Sequence, residues 1–81
     1  MQEIVNELNK MNVDASLDYP AVIYWVHDDL AIFAGFANVT LDVDITIDGE
    51  YVNVANSGFT VDEDARVCAA FIKGAISAQQ S

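Results

Sequence analysis

Residues 38–56 read NVTLDVDITIDGEYVNVAN, and this stretch decides the fold. From position 39 to 48 the residues alternate without a miss. Val39, Leu41, Val43, Ile45 and Ile47 are apolar, while Thr40, Asp42, Asp44, Thr46 and Asp48 are polar. A period of two predicts a β-strand with one buried face. Asp48-Gly49 supplies residues that tolerate positive φ in a tight hairpin turn, and Tyr51-Val52-Asn53-Val54 resumes the alternation. A turn there pairs Ile45 with Val52, Val43 with Val54, Asp44 with Asn53 and Thr46 with Tyr51. Apolar then meets apolar and polar meets polar, so the register supports itself. The outward face carries Asp42 and Asp44, and neither strand holds a lysine or arginine to answer them.

Upstream, AVIYWV (21–26) and LAIFAGF (30–36) are rich in β-branched and aromatic residues and short enough to be strands. His27, Asp28 and Asp29 lie between them, with Asp28-Asp29 as the expected tight turn. This hairpin is apolar on both faces: Ile23, Trp25 and Ile32 point one way, Val22, Tyr24 and Phe33 the other. One face suits the core and the second needs another cover, either a helix of the same chain or another chain. Between Phe36 and Val39 the inward phase shifts by one residue. Gly35, Ala37 and Asn38 therefore hold either a turn between two strands or a bulge in one long bent strand, giving a sheet of three or four strands.

Helices flank the strands. Ile4, Val5, Leu8 and Met11 fall on one side of an amphipathic segment spanning residues 2–11. At that length it is stable only when docked. Residues 12–20 read as a connector, with Pro20 pushing Tyr19 toward an extended conformation. After the loop Asn56-Ser57-Gly58, Thr60 and Glu63 match a capping box and predict a helix over 61–77. Its apolar stripe is Val61, Ala65, Cys68, Ile72, Ala75 and Ile76, widened by Phe71. The expectation is one α+β domain: an N-terminal helix, strands at about 21–26, 30–36, 39–47 and 51–55 in an antiparallel sheet built from hairpins, and a C-terminal helix packed on the sheet.

Thirteen acidic residues stand against three basic ones, for a formal net charge of −10, yet 53% of the chain is hydrophobic. The chain is therefore folded and anionic rather than a disordered acidic tail. Direct nucleic-acid binding is disfavoured, because neutralising phosphates needs a basic footprint and only Lys10, Arg66 and Lys73 are at hand. The acidic, amphipathic N-terminus is unlike a secretory signal, and no run of about 20 apolar residues is present to cross a bilayer. The expected setting is cytoplasmic. Cys68, the single cysteine, reads as a small core hydrophobe rather than a reactive thiol.

The residues carry no recognisable catalytic constellation. His27 has no serine or cysteine placed beside it, and the glycines at 35, 49, 58 and 74 are too scattered to cradle a phosphate. One cysteine and one histidine disfavour zinc. Asp44-x-Thr46-x-Asp48-Gly49 starts like a calcium loop, but Ala55 stands where the bidentate glutamate belongs. Asp14-Ala15-Ser16-Leu17 has the outline of a carrier-protein attachment serine, in a chain with too many strands for that helical fold. Neither a metal nor another cofactor is expected.

Most acidic residues have local structural reasons. Asp62, Glu63 and Asp64 suit a helix start, and Asp28, Asp29 and Asp48 suit turns. Asp42 and Asp44 do not. They sit about 7 Å apart in a strand interior, where aspartate is disfavoured. In carrying Asp42, Asp44, Asp48, Glu50, Asp28 and Asp29 on a small αβ scaffold, the chain resembles, by class rather than by a signature motif, phage-type inhibitor proteins such as anti-CRISPR proteins and DNA mimics. The resemblance implies a competitive inhibitor inside the host cell. Its carboxylates would occupy lysine and arginine sites that normally hold phosphates on a basic protein or nucleoprotein complex, with Tyr51, Tyr24 or Trp25 as anchors. The alternatives are an immunity protein or antitoxin, and an acidic homodimeric, chaperone-like module joined through residues 21–36.

Overall fold

The computed structural model describes residues 1–18, 22–27 and 29–79, with the backbone alone of His27. Tyr19, Pro20, Ala21, Asp28, Gln80 and Ser81 lie outside the described residues. With them go the expected extended Tyr19-Pro20 step and half of the first hairpin turn.

The chain is α+β. Helix α1 (Gln2–Lys10) is followed by strands β1 (Ser16–Asp18), β2 (Val22–His27), β3 (Leu30–Asn38), β4 (Thr40–Ile47) and β5 (Glu50–Asn56), then helix α2 (Ala65–Gln79). The strands form one antiparallel sheet in sequence order. Among the described residues there are thus five strands rather than three or four. The extra one is β1, three residues of the expected connector that pair with Val22–Tyr24 and give β2 an edge partner.

The two tight turns form where their residues permit them. His27 pairs with Leu30 around a turn in which Asp29 has φ 65°, and Ile47 pairs with Glu50 around Asp48 (φ 52°) and Gly49 (φ 81°). Positive φ at both central residues of the second turn matches the twist of the flanking strands. Helix α1 closes in similar fashion. Asn12 takes φ 66°, its N–H donates to the Asn9 carbonyl at 3.1 Å, and the Val13 N–H donates to the Leu8 carbonyl at 3.0 Å.

The expected β4–β5 register holds at Ile45↔Val52, Thr46↔Tyr51 and Asp44↔Asn53, but Val43 pairs with Ala55 instead of Val54. Val54 is the extra residue of a bulge, which sets Asn56 rather than Ala55 opposite Asp42. The phase shift near Gly35 resolves as both an irregularity and a turn. The β3–β4 register slips between Gly35 and Asn38, and the chain reverses at Val39. Val39 is therefore not the first inward residue of the strand; it sits in the reversal with φ 77° and 74% exposure. At the other end of β4, Ile47, the last residue before the Asp48-Gly49 turn, is exposed.

Helix α2 starts four residues later than the capping box predicts. Asp64 is its N-cap: its Oδ1 accepts the Arg66 N–H at 2.8 Å and its carbonyl accepts those of Val67 and Cys68. The Thr60 hydroxyl instead accepts the Asp62 N–H at 3.4 Å, and the Glu63 carboxylate accepts that of Asp64 at 3.1 Å. The delay has a physical source. Leu41 holds residues 57–59 against β4 through its carbonyl, bonded by the Ser57 N–H and Oγ, and its N–H, donated to Phe59. Residues 60–64 are then spent climbing from sheet to helix layer, and Val61, expected on the stripe, is 72% exposed.

Both helices bury their apolar stripes on one sheet face. Ile4, Val5 and Leu8 of α1 and Cys68, Ala69, Ile72 and Ile76 of α2 join Ile23, Trp25, Ile32, Ala34, Leu41, Val43 and Ile45 in one core. The ring of Phe59 meets that of Phe71 edge-on at 5.8 Å, and Lys73 Nζ donates to the Met11 carbonyl at 2.7 Å, tying α2 to the end of α1. No described helix is long and apolar enough to cross a membrane.

Candidate partner-binding surface

The opposite face of the sheet is covered by neither helix, and strand pairing determines what it displays. One cross-strand row runs Ser16, Tyr24, Phe33, Asp44, Asn53; the next runs Asp18, Val22, Gly35, Asp42, Asn56. The second face of the apolar hairpin and the acidic face of β4 are therefore one continuous surface. They had separate origins in the sequence pattern.

At the centre lies Phe33. Its ring is 5.1 Å from that of Tyr24, tilted by 44°, and 5.1 Å from that of Tyr51, edge-on at 67°. Such offset and edge arrangements hold aromatic rings in preferred contact. Gly35, two residues further along β3, contributes no side chain, so a hollow opens beside Phe33. The result is a groove of about 600 Å³, lined by Asp18, Phe33, Gly35, Ala37, Asn38, Asp42, Asp44, Tyr51, Asn53 and Asn56 among others.

Asp42 and Asp44 are half-buried along one wall. Asn53 Nδ2 donates to Asp44 Oδ1 at 2.9 Å and more weakly to the Val43 carbonyl at 3.4 Å, which orients that carboxylate. The Asp42 carboxylate makes no hydrogen bond or ion pair with a described residue, although its backbone pairs with Gly35 and Asn56 in the sheet. The three cations are all on the helices: Lys10 pairs with Glu7 at 2.8 Å, Arg66 with Asp64 at 3.4 Å, and Lys73 bonds Met11. The carboxylate wall is left without a countercharge from the lysines and arginines of the chain.

The structure divides the sequence-predicted residues. Asp42, Asp44 and Tyr51 line the groove together. Asp29 and Asp48 occupy the two turns at one end of the sheet, and Glu50, paired with Ile47, belongs to the rows of the helix-covered face; none of the three lines the groove. Asp28 lies outside the described residues. Trp25, an expected anchor, is 4% exposed in the core. Its indole N–H finds no acceptor among the described residues. Phe33 takes its place, and Asp18 joins the acidic set. The outward phase of Phe33 was readable from the hairpin pattern, but its position beside Asp44 depends on long-range pairing. Asp18 carried no signal beyond its charge.

Among the described residues no group of histidine, cysteine, aspartate and glutamate side chains is arranged to hold a metal ion. The thiol of Cys68 is buried under α2, and burial pushes it above the ordinary thiol value. Compared with known proteins, the chain matches no family model, no curated protein sequence and no solved structure.

Proposed function

We propose that this protein is a non-enzymatic inhibitor that docks its uncovered sheet face on a basic, nucleic-acid-binding surface of a partner protein, in the manner of an anti-CRISPR or anti-defence DNA mimic. The observation that carries the reading is the joining of an ordered aromatic cluster, Tyr24–Phe33–Tyr51, to a carboxylate wall, Asp42 and Asp44, that no lysine or arginine of the chain answers. Aromatic residues supply most of the energy at interface hot spots. Carboxylates supply steering and selectivity for a basic surface. Docking there would exclude the phosphates that the basic surface otherwise holds.

A homodimer through residues 21–36 fits this face less well. A twofold contact centred on Phe33 would press the Asp42 and Asp44 carboxylates of two chains, each of formal net charge −10, toward one another.

The test is capture of purified nuclease and CRISPR effector complexes by the full chain, with competition by their nucleic acid. Salt-sensitive binding that nucleic acid displaces and that Asp42→Lys with Asp44→Lys abolishes supports the proposal. Binding that the double variant leaves intact removes this face from the role.

A further inference from the structure

The groove on the uncovered sheet face has a more specific character than an anionic surface. Its floor is hydrocarbon, from Phe33 and the side-chain-free Gly35. Its wall is two carboxylates on alternate residues of β4, about 7 Å apart along the strand. Asp44 is held in place by Asn53, and Phe33 by the rings on either side. A group that fills this site must be cationic at its tip, flat enough to lie against a ring, and apolar along its stem. Lysine meets the first and third conditions only. Arginine meets all three: its guanidinium is planar, weakly hydrated and able to donate to two carboxylates at once.

Resting on the reading of this face as a partner-binding surface, we propose that the groove is a receptor for an arginine side chain of the basic partner. The guanidinium donates to Asp42 and Asp44 and lies against Phe33, while the stem follows the floor past Gly35. Charge complementarity selects the occupant, since the lysines and arginines of this chain are all committed to the helical layer.

The experiment titrates the isotopically labelled full chain with hexa-arginine and hexa-lysine peptides, following backbone amide shifts at about 0.15 M ionic strength, where long-range attraction is screened. The expected result is a preference for hexa-arginine of roughly two- to fivefold, the size of one exposed cation–π contact. Shifts should centre on Phe33, Gly35, Asp42 and Asp44. Phe33→Leu should abolish the preference while keeping residual binding, and Asp42→Asn with Asp44→Asn should weaken both peptides. Glu7→Gln, in the helix layer that covers the opposite face of the sheet and outside the groove lining, should change neither. Equal affinity for the two peptides, with shifts spread over every acidic residue, overturns the arginine receptor and leaves the acidic-face reading in place. Failure of both peptides to bind removes both readings. The comparison of peptides uses the unmodified chain, so it decides even where a variant fails to fold.

Discussion

Phe33 stands directly opposite Asp44 across β3 and β4, on the sheet face turned away from the helices. The pairing sets an aromatic ring beside a carboxylate along the seam where the apolar hairpin and the acidic strand meet. It converts two separate surface features into a single groove, with Tyr51 closing its side.

Tyr51 is 67% exposed, so its ring contributes little to the core. Tyr51→Ala is expected to lower unfolding free energy by about 0.5–1.5 kcal/mol, the value of one aromatic pair. Under the docking proposed for this face, its cost to binding should be larger, about 2 kcal/mol, as for an interface anchor. Urea denaturation alongside competition binding measures both. Equal losses in the two would show a packing residue only.

Val39 is a β-branched residue in the left-handed region, and its side chain is solvent-exposed. The conformation costs about 1–2 kcal/mol and the side chain has little packing to offset it. Val39→Gly should therefore stabilise the protein by about 1 kcal/mol after the entropy of glycine in the unfolded chain is deducted. An increase in melting temperature is expected; a decrease would mean that the valine side chain packs more than its exposure implies.

Gly49 and Gly74 should respond in opposite directions to the same change. A methyl group would meet nothing within 4 Å at either position, so sterics with neighbours do not enter. Gly49 has φ 81° in the hairpin turn, and Gly49→Ala should destabilise by about 1–2 kcal/mol. Gly74 lies inside α2, and Gly74→Ala should stabilise by about 0.5–1 kcal/mol. Chemical denaturation of the two variants checks the sign of each.

The pH response of α2 follows from its cap. The Arg66 guanidinium and backbone N–H, both bonded to Asp64, hold its carboxyl below the ordinary value of 3.8. A lowered folded pKa contributes stability that is fully present above the unfolded value and is lost as pH falls through the folded one. Asp64→Asn keeps an N-capping side chain and removes the charge. The stability difference between the two proteins should be constant near neutral pH and change only below about pH 4, as acid titrations of unfolding would show.

Cys68 gives the opposite sign. Burial first, then the neighbouring Glu63 and Asp64 carboxylates, raise its thiol above 9.0. Its contribution is fully present below that value and declines as pH rises through the folded pKa. Cys68→Ala should remove this alkaline decline. In the native protein a thiol-specific reagent should react only as fast as the molecule opens, because the sulfur is buried. Immediate reaction would contradict the placement of the thiol in the core.

The amino-acid sequence by itself determined whatever depends on neighbours along the chain. The alternation from Thr40 to Thr46, the Asp48-Gly49 turn and the stripes of Ile4, Val5, Leu8 and of Cys68, Ile72, Ile76 are period and backbone-strain effects, and the structure contains them all, whereas Ile47, next in phase, is exposed beside the turn. Tertiary structure decided the rest. Ser16–Asp18 has no strand pattern of its own and is extended because β2 offers it hydrogen bonds. The α2 start moved to Ala65 because Leu41 holds residues 57–59 against the sheet before the helix can begin. Two register slips, at Gly35–Asn38 and at Val43–Asp44, set the strands so that Gly35 faces Asp42 and Asn56 lies beyond it. Above all, the rings of Tyr24, Phe33 and Tyr51 come together beside Asp42 and Asp44 because side chains on different strands share a face only through strand pairing, and pairing is settled by the packing of the whole sheet against its helices.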